Sequence, residues 1–561
     1  MKRAIFNRSR LASSIEPLES RIAPAVFMVT SLKDDGSAGT LRSEITLANS
    51  KGGSNTILFS PRLHGAIALT TAEGGSLSIT SNLTIDGPGA GRIIVDGQDT
   101  VRDFFINNSA VKINGLAIVS GNTAGSGGGI YSEGSLSITG CVISGNTASG
   151  GGGGIFDNGA GSFLLKDSVV TGNSAIGPQR IGGGVVAQVA GAETVIGSTI
   201  VGNSATGSGG GIELTSSTGA VTIRGSNISD NSAVLNGGGA SILGNSQVNI
   251  SNSTFSGNTT QARAGGIYLK NDSSKTALLT RLVISNNMAV SSGGGLQDVS
   301  TGPVVIAGSR FSGNYCRGYG GGIDSQGASH TLTIQSSQFI DNEAAAGSGG
   351  GGGIAVESGS RFTLIASLVA GNQAGNFQGG IDDYSSGIAT VTGSVIANNI
   401  AANGDGGAYF RGGSGAITIQ STKITGNIAR DGSGGGLEVK SVGGTVALTG
   451  DTISGNAALG GFAYGGGVYF SGTGTVTITK GSITGNHSSG DGGGLFVGKT
   501  VSGVIKSVAI TGNDSDEFGG GLAHASGSSG TIDISAASLS LITGNVAPLG
   551  STNISGSYTV I

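Results

Sequence analysis

The chain has 561 residues, of which 111 are glycine and only 11% are charged, and its formal net charge is −4. No basic stripe is evident, which argues against a nucleic-acid partner. No apolar run reaches the roughly 18 residues that a membrane-spanning helix needs.

Residues 1–27 are predicted to be a disordered leader or export segment. Four basic residues, Lys2, Arg3, Arg8 and Arg10, lie in the first ten positions, but the apolar stretch of a standard signal peptide does not follow. The segment 15–25, Ile-Glu-Pro-Leu-Glu-Ser-Arg-Ile-Ala-Pro-Ala, resembles the Leu-Glu-x-Arg leader on exported proteins of planctomycete-like bacteria. The resemblance implies a secreted or cell-surface protein of the bacterial outer envelope. The alternative is a basic disordered tail on an intracellular protein.

Residues 28–105 are predicted to be an N-terminal cap with the first coils of a repeat array. The segment 29–49 resembles the CSLREA-type opening of bacterial surface proteins, with Thr40 in place of its cysteine, and segment 82–91 also fits that opening. Thr40 can serve as a helix N-cap, and Leu41, Ile45 and Ala48 share one helical face. A short amphipathic helix there would cover an open apolar end.

Residues 106–561 are predicted to be repeats marked by sixteen asparagines at steps of 24 to 32 residues. They are Asn122, Asn146, Asn173, Asn203, Asn231, Asn258, Asn287, Asn314, Asn342, Asn372, Asn399, Asn427, Asn456, Asn486, Asn513 and Asn545. The residue three before each asparagine is apolar, such as Val119 or Ile424. The residue just before it is Gly, Asn or Asp, which tolerate positive φ, so the chain is expected to turn there.

Two more apolar alternations lie between successive asparagines, one after a glycine pair and one just beyond it, so each repeat is predicted to hold three short strands. Such triplets bury their apolar sides only by stacking. The predicted fold is all-β, a single-stranded right-handed parallel β-helix of about 16 or more coils with a short N-terminal cap. The asparagines would form a ladder between coils. A disordered glycine-rich linker is the alternative.

These columns resemble the Pmp-type repeat of polymorphic outer-membrane proteins. That repeat pairs Gly-Gly-Ala/Ile/Leu, matched at 238–240 and 406–408, with Phe-x-x-Asn, matched at 255–258, 311–314 and 339–342. The resemblance implies a bacterial surface β-helix and is nearly silent on activity. Repeats continue to Asn545, which leaves no room for membrane-barrel strands before Ile561. An autotransporter-like passenger whose anchor lies outside this chain is therefore one alternative.

Cys141 and Cys316 each replace a small residue of a repeat column, and six predicted coils separate them. Because a disulfide needs Cα atoms within about 7 Å, we expect no disulfide and two free thiols.

Catalytic candidates are few. Asp382 and Asp383 form an acid pair in a strand after a glycine pair, and Asp324 lies two coils earlier in the same column as Asp382. Glycan-cleaving sites combine carboxylates with each other or with basic groups, but no Arg, Lys or His stack completes this one. The alternative is solvated charge on the outer face. Aspartates such as Asp405 precede glycine clusters only once per coil, so neither a calcium roll, nor another metal, nor a cofactor is predicted.

The second residue of the strand after each glycine pair is predicted to point outward. This outward column reads Tyr131, Phe156, Val186, Glu213, Ser241, Tyr268, Gln297, Asp324, Ala355, Asp382, Tyr409, Glu438, Tyr469, Phe496 and Ala523. Tyr409, Glu438, Tyr469 and Phe496 are predicted to form a ligand-binding patch, because aromatic rings stack on sugars and acids bind hydroxyls. The alternative is ordinary cross-strand packing or cover from overlying loops.

The leading functional hypothesis is an exported, non-enzymatic surface protein, structural or adhesive, that contacts cell-surface or extracellular polysaccharide. A polysaccharide lyase or a glycosidase is the runner-up. The sequence predicts no oligomeric state.

Overall fold

A computed structural model describes residues 24–178, 181–327, 330–345, 349–357 and 361–561. The chain winds into a right-handed parallel β-solenoid of about 19 turns, and each strand pairs in parallel with its counterpart one coil further on. The predicted fold class is confirmed. Most of the predicted leader, residues 1–23, lies outside the described residues, and the first strand, Val26–Val29, begins within the segment 1–27.

Helix α1, Leu41–Lys51, covers the first coil. Thr40 caps it by accepting the Ser43 N–H at 3.2 Å, which satisfies one of the free amides of the first turn. Leu41, Ile45 and Ala48 are buried against the first strands, Val26–Val29, Asn55–Phe59 and Leu77–Ile79. The helix therefore closes the apolar end of the stack.

From Asn122 to Ser515 each coil has four strand-forming sides rather than the three predicted. In one coil they are Ile130–Ser132 (side 1), Ser135–Thr139 (side 2), Val142–Ser144 (side 3) and Thr147–Ala148 (side 4). Side 4 has two residues per coil and follows the asparagine. Two residues are too few to show an alternation, which is why the sequence pattern did not indicate this strand.

The four sides run nearly the whole length of the chain. Side 2 extends from Val26–Val29 to Thr559–Val560, side 3 from Gly65–Ala68 to Ile542–Thr543, and side 4 from Asn122–Thr123 to Asp514–Ser515. A 3-10 turn, Thr71–Glu73, and helix α2, Ala536–Leu539, lie near the two ends.

Side 1 positions the candidate site. Its strands are Leu77–Ile79, Phe104–Ile106, Ile130–Ser132, Ile155–Asp157, Val185–Ala187, Ile212–Ser216, Ala240–Gly244, Ile267–Asn271, Leu296–Asp298, Ile323–Ser325, Ile354–Val356, Ile381–Asp383, Ala408–Gly412, Leu437–Thr449, Val468–Thr479, Leu495–Val497, Leu522–His524 and Ile554–Ser555. The strands Leu437–Thr449 and Val468–Thr479 continue without a break into side 2.

The asparagine ladder runs through the corner between sides 3 and 4. Asn146 Nδ2 donates to Asn173 Oδ1 at 2.8 Å and to the Ile118 carbonyl of the preceding coil at 3.2 Å. The same side-chain bond recurs in each coil up to Asn513 and Asn545, at 3.0 Å. The residue before each of these asparagines has positive φ, as in Gly426 at 66° and Asp341 at 54°.

The first repeat is shifted by one residue from its predicted alignment. Ser120 takes the positive φ of 53°, and the register pairs Ile118 with Ile143, so Ile118 rather than Val119 faces the core. Asn122 therefore falls on side 4 and donates to the Asp99 carbonyl at 2.8 Å instead of joining the ladder.

Candidate functional site

The outward column of side 1 points away from the core but is not solvated. None of its fifteen side chains is exposed, and the acids Glu213 and Asp324 are buried. The chain just before each glycine pair lies over this column: a Cβ on Gly151 would stand 3.1 Å from the Phe156 ring. Asp324 and Asp382 are therefore buried rather than solvated, because loops that the strand pattern does not reveal cover them.

One position in these covering loops has the same conformation in most coils but a different residue in two of them. The residue immediately before the glycine pair is a glycine with positive φ in most coils, namely Gly127, Gly152, Gly182, Gly209, Gly237, Gly293, Gly320, Gly351, Gly434, Gly465, Gly492 and Gly519, and Ala264 also has positive φ. The exceptions are Gln378 and Asp405, in adjacent coils. Both side chains are buried, and Gln378 Nε2 donates to Asp405 Oδ2 at 2.9 Å.

A cavity of about 690 Å³ lies between side 1 and its covering loops, centred on these two coils and extending into their neighbours, and we call it the acidic groove. Its ring-bearing lining residues are Tyr319, Phe377, Tyr384, Tyr409 and Tyr469, and its charged lining residues are Glu357, Asp382, Asp405, Glu438 and Lys440. Four carboxyl groups thus share the groove with five aromatic rings and one basic group.

The four carboxyl groups come from four successive coils. Strand pairing sets Ala355 beside Asp382, Asp382 beside Tyr409, and Tyr409 beside Glu438. Glu357 follows the first of these strands and Asp405 precedes the third. Since parallel strands stack about 4.8 Å apart, the carboxyl groups form a row along the solenoid axis.

Asp405 and Glu438 hydrogen-bond to each other, which requires a proton between the two carboxyl groups. Burial raises the pKa of Asp405 well above its usual range, and the Glu438 charge raises it further. Burial also raises the pKa of Glu438, whose Oε1 accepts the Ser471 hydroxyl at 2.8 Å. Asp405 is therefore the protonated partner. Gly434 makes room for it, because a Cβ there would stand 2.6 Å from Asp405 Oδ1.

Asp382 and Glu357 have oxygens that lack a partner. Burial, with help from the charges of Asp383 and Glu357, raises the pKa of Asp382 to about 7. Asp382 Oδ1 and Glu357 Oε1 are buried and accept no hydrogen bond from the described residues. Buried acceptors of this kind are costly unless something donates to them.

The structure gathers Asp382, Tyr409, Glu438 and Tyr469 into the groove, but it places the other predicted site residues elsewhere. Asp383 faces the interior of the solenoid, because strand alternation turns it inward beside the outward Asp382, and it accepts the Ser385 N–H at 3.0 Å. The candidate Asp383 is therefore not part of the groove.

Asp324 and Phe496 also lie outside the groove lining. Asp324 is fully buried, and its Oδ2 accepts Gln326 Nε2 at 3.0 Å. Phe496 is 6% exposed and packs against the rings of Tyr464 and Tyr469, at 4.4 and 5.5 Å between centroids. Phe496 therefore belongs to ordinary aromatic packing, which was the alternative to a ligand-binding role. Tyr469 takes part in the same packing and also lines the groove.

Sequence reasoning missed Glu357, Gln378, Asp405, Tyr319, Phe377 and Tyr384 as groove residues. The signal that could have found two of them is the column before the glycine pair, where only Gln378, Asp405 and Ala264 are not glycine.

Two further polar clusters lie outside the groove. His330 Nε2 lies 3.1 Å from both Asp298 Oδ2 and Ser325 Oγ, but these side chains are sealed inside the solenoid, where no substrate can reach them. On side 4, His487, Asp514 and Asp516 form the one group in the described residues whose ligand atoms converge as a metal ion would require. Asp516 is exposed, and His487 Nδ1 bonds Asp514 Oδ2 at 3.1 Å.

A second concavity on side 1 is larger, about 990 Å³, but more open. It is lined mainly by small polar residues of the coils from Asn158 to Asp272, with Tyr268 as its single ring. The acidic groove is the better candidate site because rings and carboxyl groups converge there.

The fold and the groove define a right-handed parallel β-solenoid with a covered acidic cleft on one side. The family model of the right handed beta helix region matches residues 65–278 and 210–396, which together span more than half of the chain, so the chain belongs to this family. Proteins with this domain include surface proteins and polysaccharide-degrading enzymes. No curated protein matches the chain. No helix among the described residues is long and apolar enough to cross a membrane.

Proposed function

We propose that this protein is an exported β-helix of the cell surface that binds a glycan in the acidic groove. The observation that carries the proposal is the convergence of five rings and four carboxyl groups in one cavity of about 690 Å³. Aromatic rings stack on the faces of sugar rings, and buried carboxyl groups bind their hydroxyls. The oxygens without partners on Asp382 and Glu357 would receive hydrogen bonds from such hydroxyls.

The binding test uses the full chain on a glycan array, followed by titration with the best ligand. We expect Tyr409→Ala/Tyr469→Ala to weaken binding at least about tenfold, which corresponds to roughly 1.4 kcal/mol. Tyr131→Ala is the matched control: it belongs to the same outward column but stacks between Phe105 and Phe156, far from the groove. Undiminished binding by a double variant with wild-type circular dichroism would contradict the proposal.

Export rests on the leader-like segment 15–25 and on the surface proteins that share this domain. Protease shaving of intact source cells, with mass spectrometry of the released peptides, tests it. We expect peptides from the covering loops; their release only after cell lysis would contradict export.

Glycoside hydrolysis is a second candidate, because Asp405 is a carboxyl group that keeps its proton and can protonate a glycosidic oxygen. Its hydrogen-bond partner Glu438 lies too close to be the second carboxylate that activates water, so that role would fall to another acid of the groove. Release of reducing ends, lost in Asp405→Asn, would establish this activity. A lyase fits less well, because its uronate substrate would meet four carboxyl groups and only Lys440 as a basic lining group.

A further inference from the structure

We infer that the acidic groove selects a cationic glycan, an oligosaccharide whose successive sugar units carry free, protonated amino groups. This inference rests on the proposed function and names the ligand class for the same site. Its grounds are the charge of the groove, the row of carboxyl groups along the axis, and the rings that flank them.

The charge balance of the groove favours a cation. Glu357, Asp382, Asp405 and Glu438 line it, against the single basic residue Lys440. Two basic side chains act from outside the lining: the Arg411 guanidinium lies over the Tyr384 ring, 4.4 Å from its centroid, and the Arg263 charge acts to lower the pKa of Glu357. Wherever a groove carboxyl group is charged, it repels a uronate or sulfate and pairs with an ammonium group.

The spacing of the carboxyl groups favours a chain of cations over a single ion. One carboxyl group is contributed by each of four successive coils, about 4.8 Å apart. Among the described residues, the carboxylate oxygens of the groove do not converge in a group of three as a metal ion would need. Charges that recur along a polymer match three positions along the axis, namely Glu357, Asp382 and the hydrogen-bonded Asp405–Glu438 pair.

The aromatic rings add a second recognition element. Tyr384 and Tyr409 stack at 6.4 Å between centroids, and Tyr409 and Tyr469 flank Glu438 in the strand register. A ring face attracts an ammonium group and also stacks on the apolar face of a pyranose. An amino sugar offers both partners within one unit.

The empty groove holds protons that a cation would displace. Burial raises the pKa values of Asp382, Asp405, Glu438 and Glu357. The other titratable groups of the lining are Lys440, Tyr319, Tyr384, Tyr409 and Tyr469. From outside the lining, Asp324 and Arg263 act on Glu357, and Asp383 acts on Asp382. An ammonium group beside a carboxyl group favours its charged form, so binding should release protons from the groove.

The experiment is calorimetric titration of the full-length protein at pH 6 with three tetramers: glucosamine with free amines, its N-acetylated form, and galacturonic acid. Repeating each titration in two buffers of different ionisation enthalpy counts the protons released. We expect the free-amine tetramer to bind at least about tenfold more tightly than the N-acetylated one, to release protons, and to outcompete the acidic tetramer.

The charge-neutral variant Asp405→Asn/Glu438→Gln should lose both that preference and the proton release. Glu213→Gln is the matched control, since Glu213 is a buried acid of the same outward column outside the groove lining. Equal or tighter binding of the N-acetylated or acidic tetramer would overturn the inference and leave the proposed function standing. Absence of binding to any glycan by the folded protein would overturn the proposed function itself.

Discussion

At the scale of single residues, the apolar core of side 3 should not tolerate a charged side chain. Ile424 is fully buried and stacks between Ile396 and Ile453 of the adjacent coils. Ile424→Asp places an unpaired carboxylate there, so we expect a loss of about 4 kcal/mol or more in the free energy of unfolding. Urea denaturation checks this against Lys423→Asp, an exposed neighbour on the same strand. Equal stability of the two variants would contradict the inward orientation.

The corner before each asparagine gives a second prediction for single residues. Gly426→Val should destabilise the fold by about 1–3 kcal/mol, because a β-branched residue is strained at positive φ. Asp341→Gly should cost less, since glycine accepts the φ of 54° found there. Thermal unfolding compares the two variants, and a larger loss for Asp341→Gly would argue against a left-handed corner.

At the scale of structural elements, the asparagine ladder behaves as a shared unit. Asn342 donates to Asn372 Oδ1 at 2.9 Å, and its own Oδ1 accepts both Asn314 Nδ2 at 2.9 Å and the Asn314 main-chain N–H at 3.1 Å. Asn342→Ala leaves these buried groups without partners, so we expect a loss of about 2–3 kcal/mol.

Asn122→Ala is the control for that ladder prediction, because Asn122 makes its one side-chain bond to the Asp99 carbonyl and is only partly buried. We expect chemical denaturation to show only a small loss in the free energy of unfolding for Asn122→Ala. Similar losses in the free energy of unfolding for the two variants would show that the ladder adds nothing beyond an ordinary amide contact.

The elements also show what a sequence can and cannot predict. The fold follows from periodic columns, such as the apolar residue at Ile424 and the corner at Gly426, because stacking imposes the same environment on every coil. The groove depends on a departure from periodicity instead: in two adjacent coils the residue before the glycine pair is Gln378 or Asp405 rather than the usual glycine. The burial of Asp382 could not be predicted, because loops without periodicity cover it. Alternation, applied strictly, would have turned Asp383 inward.

At the scale of the whole molecule, buried acids make stability depend on pH. Burial raises the pKa of Asp157 to about 7 and that of Glu193 to about 8. In the unfolded chain both lose their protons near pH 4. The two acids therefore contribute fully to the free energy of unfolding below about pH 4, and this contribution is lost as the pH rises through 7 to 8. Urea denaturation should show greater stability at pH 5 than at pH 8.

The double variant Asp157→Asn/Glu193→Gln should flatten that pH profile. Lys166→Gln, an exposed charge between these two acids in sequence, is the control and should leave the slope unchanged. A profile that rises from pH 5 to pH 8 in the wild type would contradict the burial of neutral acids.

The coil-on-coil register has a consequence for how such a protein can change over generations. Each coil contacts its two neighbours through the same columns, so one coil resembles an interchangeable link. An in-frame duplication or loss of one link far from Gln378 and Asp405 would alter the length of the rod by about 4.8 Å and leave the groove as it was. The length of the rod and the shape of the groove are thus inherited as separate traits, the first set by the number of links and the second by the few that differ.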